Sequence, residues 1–204
     1  MLPIPFKGWY AGVGSRETPE DILTLMRSLS QALYASGYAL SSGDAEGADT
    51  AFYEGAILSP HYHVLGARIY LAWDGVGKGD HKRYHDPKNY FYDASRFPTW
   101  ETAQSIASEV HEYWDRCKRG GRAMHSRNVY QIMGHTLTDP VSSLIYWAKP
   151  VGKTEKVSGG TNMALQISIK FGIKNRINLY TDEGMERATK FLDQYGNPLK
   201  REAE

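Results

Sequence analysis

The sequence predicts an α/β fold in which a mostly parallel β-sheet is covered by helices on both faces. Short segments rich in β-forming residues alternate with longer segments whose apolar residues recur every three or four positions. Such alternation implies right-handed crossover connections, which make neighbouring strands run parallel. Glycine-rich segments stand at three junctions between a strand and a helix. The chain has 204 residues, which is enough for one full-sized domain, predicted over residues 1–204.

Residues 9–13 are predicted to form the first strand, and residues 14–19 end it. Thr18 is expected to cap the following helix, with Pro19 in the first helical position. This helix should bury one face, on which its apolar residues recur: Ile22, Leu25, Met26, Leu29 and Leu33. Gly37 is expected to end the helix.

The second strand starts at Tyr38, stops at residues 41–43, and leads through a loop into a helix predicted from Ala48. Gly43 and Gly47 allow tight bends at this junction, which directs backbone N–H groups and a helix dipole at one spot suited to an anion. Three carboxylates also lie here: Asp44, Glu46 and Asp49. Because they would repel a phosphate placed directly on them, we expect them to hold sugar hydroxyls, a base edge or a proton in transfer.

A third strand is predicted within residues 66–73, and residues 74–98 then lose any periodicity, which predicts a loop inserted over the site. His81 and His85 in this loop are four residues apart, a loose pairing that is more often solvated or structural than metal-binding. The single cysteine, Cys117, excludes a disulfide within the chain and a zinc cluster built from several cysteines. No metal and no cofactor is therefore predicted.

The second half continues the alternation. It is predicted to contain a helix at 99–117, a short polar helix at 124–134, a strand at 141–147, a helix opened by residues 158–162, a strand at 177–180, a helix at 183–194 and a loose tail at 195–204. Residues 158–162 include Gly159, Gly160 and Thr161, which make the third glycine-rich junction.

Composition restricts the class of protein. Lys and Arg number 24 against 23 Asp and Glu, so the formal charge of +1 gives no global basic field of the kind that favours duplex DNA. The sequence shows neither a basic N-terminal region before an apolar run nor a stretch of roughly 20 apolar residues. We therefore expect a soluble cytoplasmic protein with no membrane partner.

Each glycine-rich junction follows a strand, so all three are expected at the same edge of the predicted parallel sheet. Ligands of such sheets bind at this edge, beyond the carboxyl ends of the strands. Together they favour a ligand that carries a phosphate or ribose phosphate. The three-glycine dinucleotide fingerprint and the phosphate loop ending in Gly-Lys-Ser/Thr are both absent. NAD dehydrogenases and ATPases of those types are thereby excluded.

These junctions resemble a known superfamily. Residues 14–16, residues 42–52 and residues 159–161 are similar to the Rossmann-like superfamily of DNA-processing protein A and the "lonely guy" phosphoribohydrolases. The closest pattern is that of small, often phage-encoded DNA-recombination-mediator-like proteins, in which the second loop reads Ser-Gly-Gly-Ala-x-Gly-Ala-Asp. The resemblance covers about residues 9–180, and Asp44 stands where that pattern has a glycine.

The resemblance implies a Rossmann-like domain with a site for a nucleotide or for nucleic-acid phosphate. The implied binding residues are Gly14, Ser15, Arg16, Ser42, Gly43, Gly47, Arg127, Asn128, Gln131, Gly159, Gly160 and Thr161. Arg16 would match the first-loop arginine, although a surface arginine paired with Glu17 or Glu20 is the alternative. The Arg-Asn-x-x-Gln run at Arg127 and Gln131 resembles the phage-type relatives, and a helix-capping network is its alternative.

Catalysis is a separate question. In the phosphoribohydrolases the last loop carries a glutamate that assists cleavage, and here Ala164 falls at that position. Cleaving an N-glycosidic bond develops positive charge on the sugar, so a carboxylate is chemically expected nearby. The candidates are Asp44, Glu46 and Asp49, with Asp44 favoured because it replaces a glycine.

Three functions remain as hypotheses: a nucleotide-binding protein, a nucleotide N-glycosidase and a single-stranded DNA binder. The near-neutral charge weighs against the third. Since relatives often pair through helices beside the site, the resemblance also implies a homodimer.

Overall fold

The computed structural model describes residues 4–73 and 90–195. Within these residues, six parallel strands form one sheet in the order β4-β3-β2-β1-β5-β6. The strands are β1 Gly8–Gly14, β2 Tyr38–Ser42, β3 Ala67–Leu71, β4 Phe91–Asp93, β5 Ser143–Trp147 and β6 Asn175–Asn178. The helices are α1 Glu20–Ala35, α2 Ala48–Leu58, α3 Tyr62–Leu65, α4 Trp100–Val110, α5 Arg119–Met133, α6 Thr161–Lys170 and α7 Asp182–Tyr195. The predicted α/β fold with a parallel sheet is confirmed.

Strand order places a crevice beside the central strand β1. The chain builds outward from β1 through β2 and β3 to β4, and then returns to place β5 and β6 on the other side. The strand order therefore reverses between β1 and β5, where Gly14 pairs with Trp147 at the carboxyl ends. A reversal of this kind separates the loops that follow the two strands and opens a ligand crevice between them.

Helices cover both faces of the sheet, as predicted. Successive residues of β1 point to opposite sides, so Tyr10 joins one buried cluster and Ala11 joins the other. The first cluster packs α1, α2 and α7 against the sheet through residues such as Met26 and Phe52. The second cluster contains side chains of α4, α5 and α6, including Ile132. The sheet therefore lies between two hydrophobic cores.

Three predicted elements differ most from the structure. The helix predicted at 99–117 ends at Val110, and a separate 3₁₀ turn follows at Trp114–Arg116. The polar helix α5 begins at Arg119, earlier than predicted. The prediction missed this start because Gly120 and Gly121 have low helix propensity. Within the predicted insertion, Phe91–Asp93 forms an edge strand against β3. Its anchor is Phe91, which is buried against the first core.

Thr18 does not cap α1. Its hydroxyl donates to the carbonyl of Ser15 at 2.7 Å, so Pro19 is the capping residue and no side chain caps the helix. Residues 74–89 of the predicted insertion, with His81 and His85, lie outside the described residues, as do residues 196–204 of the predicted tail. Across residues 4–73 and 90–195, no helix has the combined length and apolar character needed to cross a bilayer.

Candidate functional site

The three glycine-rich loops meet at one cavity of about 360 Å³ at the carboxyl edge of the sheet. The end of β1, the start of α2, the middle of α5 and the start of α6 supply its walls. The lining residues are Val13, Gly14, Ser15, Arg16, Glu17, Ala45, Asp49, Met124, His125, Arg127, Asn128, Gln131, Gly159, Gly160, Thr161 and Ala164. Segments up to about 150 residues apart in the chain thus share one opening.

The first loop places Arg16 at the cavity with its guanidinium uncommitted. Arg16 is exposed, and among the described residues it makes no hydrogen bond or ion pair. Glu20, one of its two expected alternative partners, instead pairs with Arg27 at 2.9 Å. Gly14 precedes this loop, and a Cβ there would come within 2.6 Å of the Ala48 Cβ, so the glycine lets α2 approach β1 closely.

A buried ion pair between Asp49 and Arg127 forms the floor of the cavity. The Asp49 carboxylate lies 3.6 Å from Arg127 Nη1, and the two side chains are only 5% and 6% exposed. Arg127 Nη1 also approaches the Tyr70 carbonyl at 3.4 Å. Gln131 completes the network in the amide orientation that satisfies its neighbours, accepting from the Gly43 N–H at 2.7 Å and from Arg127 at 3.2 Å.

Burial shifts both members of this pair toward their neutral forms. It raises the pKa of Asp49 to about 6, although the charge of Arg127 and the backbone N–H groups of Ala45 and Gly14 oppose the shift. Burial likewise lowers the pKa of Arg127, against the attraction of Asp49 and Asp44. Arg127 Nε is also buried without a hydrogen-bond partner among the described residues. Perturbed titratable groups in a cleft are typical of functional sites.

Asp49 should make the stability of the protein fall as pH rises from about 4 to about 6. Its folded pKa of about 6 exceeds the ordinary value of 3.8, so between these values only the folded state holds the proton. The protonated Asp49 carboxyl therefore contributes its full stabilisation below pH 3.8, the pKa in the unfolded chain. This contribution is lost as the pH rises toward about 6, the pKa in the folded protein, at about 1.4 kcal/mol per pH unit. Urea unfolding across this range should show the slope in wild type relative to Asp49→Asn, whose amide does not titrate. A difference between the two proteins that is flat or rises with pH would contradict it.

A smaller cavity of about 120 Å³ adjoins the larger one and shares Arg16 and Arg127 with it. Asp44, half-buried, and Glu46, exposed, line this second space. Tyr70 lies here too. Burial raises the pKa of its hydroxyl well above the ordinary value, and that oxygen has no hydrogen-bond partner among the described residues. Asp44 and Glu46 thus line the smaller cavity, whereas Asp49 lines the larger one and is buried in the ion pair.

The third loop leaves open space above its backbone. A Cβ built on Gly159 or Gly160 would meet no atom within 4 Å, and Gly159 has a φ of +72°, which favours glycine. No side chain caps the N-terminus of α6. The side chain of Asn128 donates to the Gly160 carbonyl at 3.4 Å, which ties this loop to α5. An anion could approach the helix N-terminus here without steric conflict.

Three of the predicted binding residues lie outside the lining of both cavities. The Ser42 hydroxyl donates to the Gly12 carbonyl, which joins the ends of β2 and β1. Gly43 packs directly against the Arg127 guanidinium, and a Cβ on Gly47 would lie 2.9 Å from the Ser15 carbonyl. These residues hold the loops in position, while Gly14, Ser15, Arg16, Asp49, Arg127, Asn128, Gln131, Gly159, Gly160 and Thr161 line the larger cavity.

Sequence reasoning missed four polar or polarisable residues of the walls: Glu17, Tyr70, Met124 and His125. Burial lowers the pKa of His125 to about 4, and the charges of His111 and Arg127 act in the same direction. A signal for Met124 was present, because it precedes Arg127 and Asn128 by three and four positions and so shares their helix face. Tyr70 carried no such signal, since it lies within a buried strand.

No protein-family model, no curated protein and no solved structure matches the chain.

Proposed function

We propose that the chain is a Rossmann-like nucleotide-binding protein that holds the phosphate and ribose of a nucleotide or deoxynucleotide in the larger cavity. The observation that carries this proposal is the meeting of three glycine-rich loops around one space. Its volume of about 360 Å³ lies in the range of roughly 300–1,000 Å³ typical of small-molecule sites. A nucleotide needs a cationic end for its phosphate and acceptors for its sugar hydroxyls, and the cavity offers both.

The lining of the cavity combines a cationic side chain, a helix N-terminus and amide groups. Arg16 is uncommitted, and its planar guanidinium suits bidentate binding of a phosphate. The N-terminus of α6 adds a helix dipole that attracts the same phosphate, and the open backbone of Gly159 and Gly160 leaves space for it. Asn128 and Gln131 line the same cavity with amide groups suited to a sugar or a base edge. The Asn128 amide donates to the Gly160 carbonyl at 3.4 Å, and it would exchange this long bond for one to the ligand.

Calorimetric titration with nucleoside and deoxynucleoside 5′-monophosphates, beside the matching nucleosides, tests the proposal. We expect a monophosphate to bind and the nucleoside to bind far more weakly. Arg16→Gln should weaken monophosphate binding by at least about 10-fold, because a hydrogen bond to a charged group contributes about 1.5–3 kcal/mol. Arg96→Gln is the matched control, since Arg96 is exposed and lies outside both cavities. Failure of every monophosphate to bind, or equal binding by Arg16→Gln, would contradict the proposal.

The same titrations distinguish the DNA-binding alternative. A single-stranded DNA ligand engages several phosphates, so its affinity falls steeply with salt, by a slope of about −0.7 per neutralised phosphate. A mononucleotide held by one or two arginines should show a shallow dependence. Tight, salt-sensitive binding of oligonucleotides without mononucleotide binding would favour the DNA-binding function.

Cleavage of the N-glycosidic bond is a second candidate function, favoured by the placement of Asp44. This carboxylate lines the smaller cavity together with Arg16 and Arg127, beside the proposed nucleotide site. In such a reaction the bond between the base and the anomeric carbon breaks, and water adds to that carbon. The carboxylate stabilises the positive sugar and takes one proton from the attacking water. The base leaves with the electrons of the broken bond and takes up a proton from solvent, and the carboxyl group returns its own proton to solvent. Free base, measured after incubation with each monophosphate, should disappear in Asp44→Asn while binding persists, and no release by wild type removes this candidate.

A further inference from the structure

Three potential metal ligands converge beside the candidate site. His111 follows the last residue of α4, Cys117 follows the short 3₁₀ turn, and His125 lies in α5. One ligand atom from each of these side chains lies within 4.8 Å of the other two. All three residues are partly buried, so the cluster is positioned by surrounding structure but remains accessible to an ion.

We propose that His111, Cys117 and His125 bind a zinc-class divalent cation. With Zn–S near 2.3 Å and Zn–N near 2.0–2.1 Å, tetrahedral geometry requires a sulfur–nitrogen separation of about 3.5 Å. Cys117 Sγ lies 3.6 Å from His111 Nε2. The rings of His111 and His125 have their centroids 4.3 Å apart, so one cation can lie between them after small side-chain rotations.

The chemistry of the ligand set favours zinc over calcium or magnesium. A thiolate with two imidazoles is a soft to borderline donor set, whereas the hard cations prefer oxygen. Three protein ligands leave one of the four tetrahedral positions for water or an exogenous group. A divalent cation and one thiolate carry a net charge of +1.

One ring nitrogen of the cluster lacks a hydrogen-bond partner among the described residues, which also favours a bound cation. His125 Nδ1 is buried and has no hydrogen-bond partner among the described residues. A buried polar atom of this kind requires an explanation, and a bound cation supplies one. Binding has a modest cost, because His111 Nδ1 now accepts from the Tyr113 N–H at 3.2 Å on the exposed surface. That bond must be given up when the other ring nitrogen binds metal, since the ring then carries its proton on Nδ1.

The site connects to the candidate cavity through one residue. His125 belongs both to the ligand cluster and to the cavity lining. A cation held here would therefore sit beside that wall and strengthen its attraction for an anion. The inference does not depend on the proposed nucleotide binding, because the ligand geometry stands without it.

Titration of chelator-treated, untagged protein with Co²⁺ tests the site directly. We expect one Co²⁺ per chain and a thiolate-to-cobalt charge-transfer band, with visible bands of tetrahedral intensity that Zn²⁺ abolishes by displacement. Because Cys117 is the single cysteine of the 204-residue chain, the charge-transfer band has only one possible source. This makes the spectrum a residue assignment as well as a binding measurement.

Variants separate the cluster from other histidines. Cys117→Ser should remove the charge-transfer band and weaken Zn²⁺ binding on the order of 100-fold, because loss of a direct ligand costs at least as much as the 10–100-fold typical of supporting residues. His125→Gln should weaken binding similarly, whereas His63→Gln, which changes an exposed histidine outside the cluster, should not. Circular dichroism confirms folding of each variant. Absence of the charge-transfer band in wild type, or unchanged Zn²⁺ affinity in folded Cys117→Ser, overturns the proposal.

Discussion

Replacing Arg127 with methionine is expected to lower the free energy of unfolding by about 3–5 kcal/mol at pH 8, the largest effect of any single substitution in the site. The substitution keeps the aliphatic volume but removes the charge that faces Asp49 at 3.6 Å. The carboxylate is then buried alone, because its side chain is only 5% exposed. The carboxylate must either remain ionised in an apolar setting or take up a proton at a pH well above its ordinary pKa of 3.8. Urea unfolding measures the loss directly.

A double-mutant cycle separates this effect from lost packing. Arg127→Met combined with Asp49→Asn should be more stable than Arg127→Met alone, because the uncompensated charge is gone. The deficit of Arg127→Met should also shrink toward pH 5, where Asp49 becomes protonated more readily. Stability within about 0.5 kcal/mol of wild type for Arg127→Met, a range usual for surface substitutions, would show that the pair is not a structural element of the site.

Gly43→Ala is expected to destabilise the protein by about 1–3 kcal/mol, the usual cost of overfilling a well-packed interior. A methyl group at this position would overlap Arg127 Nη1 and come within 2.6 Å of Asp49 Oδ2. The guanidinium cannot move away cheaply, because it is almost fully buried between the end of β2 and α5. The substitution should therefore displace the ion pair and also weaken ligand binding in the larger cavity.

Gly160→Ala supplies the matched control for this prediction. Gly160 has helical backbone angles, φ −66° and ψ −22°, and a Cβ there would meet no atom within 4 Å. Alanine should be neutral or stabilise by about 0.4–1 kcal/mol, because it restricts the unfolded chain. The two alanine variants thus differ in where the methyl group goes and not in its chemistry. Thermal unfolding that ranks them in the opposite order would contradict the packing described around Gly43.

Local patterns were sufficient to predict the fold class. The period of three to four in α1 and the glycine-rich ends of β1 and β2 are signals that neighbouring residues carry by themselves. The start of α2 at Ala48 follows from such a signal, since Gly47 precedes it with a φ of +83° that few other residues adopt. Strand β4 lacked one, because three residues at the edge of a sheet have too short a pattern to distinguish from a loop.

The side-chain contacts within the site could not be predicted in the same way. Asp49 and Arg127 are 78 positions apart, and only the packing of α5 against the ends of β2 and β3 brings them together. The cluster at Cys117 has the same origin, since five and seven residues separate it from the two histidines in no familiar ligand spacing. The carboxylate of Asp49 looked available for catalysis in the sequence because nothing local indicated its buried partner.

Amide hydrogen exchange with and without a nucleoside monophosphate tests whether the three glycine-rich loops bind one ligand together. If the three loops together bind one nucleotide, added monophosphate should slow amide exchange in three segments: residues 14–17, 43–49 and 159–162. Helix α7, which lines no part of this cavity, should be unchanged. Protection of all three segments by a monophosphate, and not by its nucleoside, is the result expected. Exchange that is unaltered, or altered only outside these loops, would contradict binding of a nucleotide by the three loops.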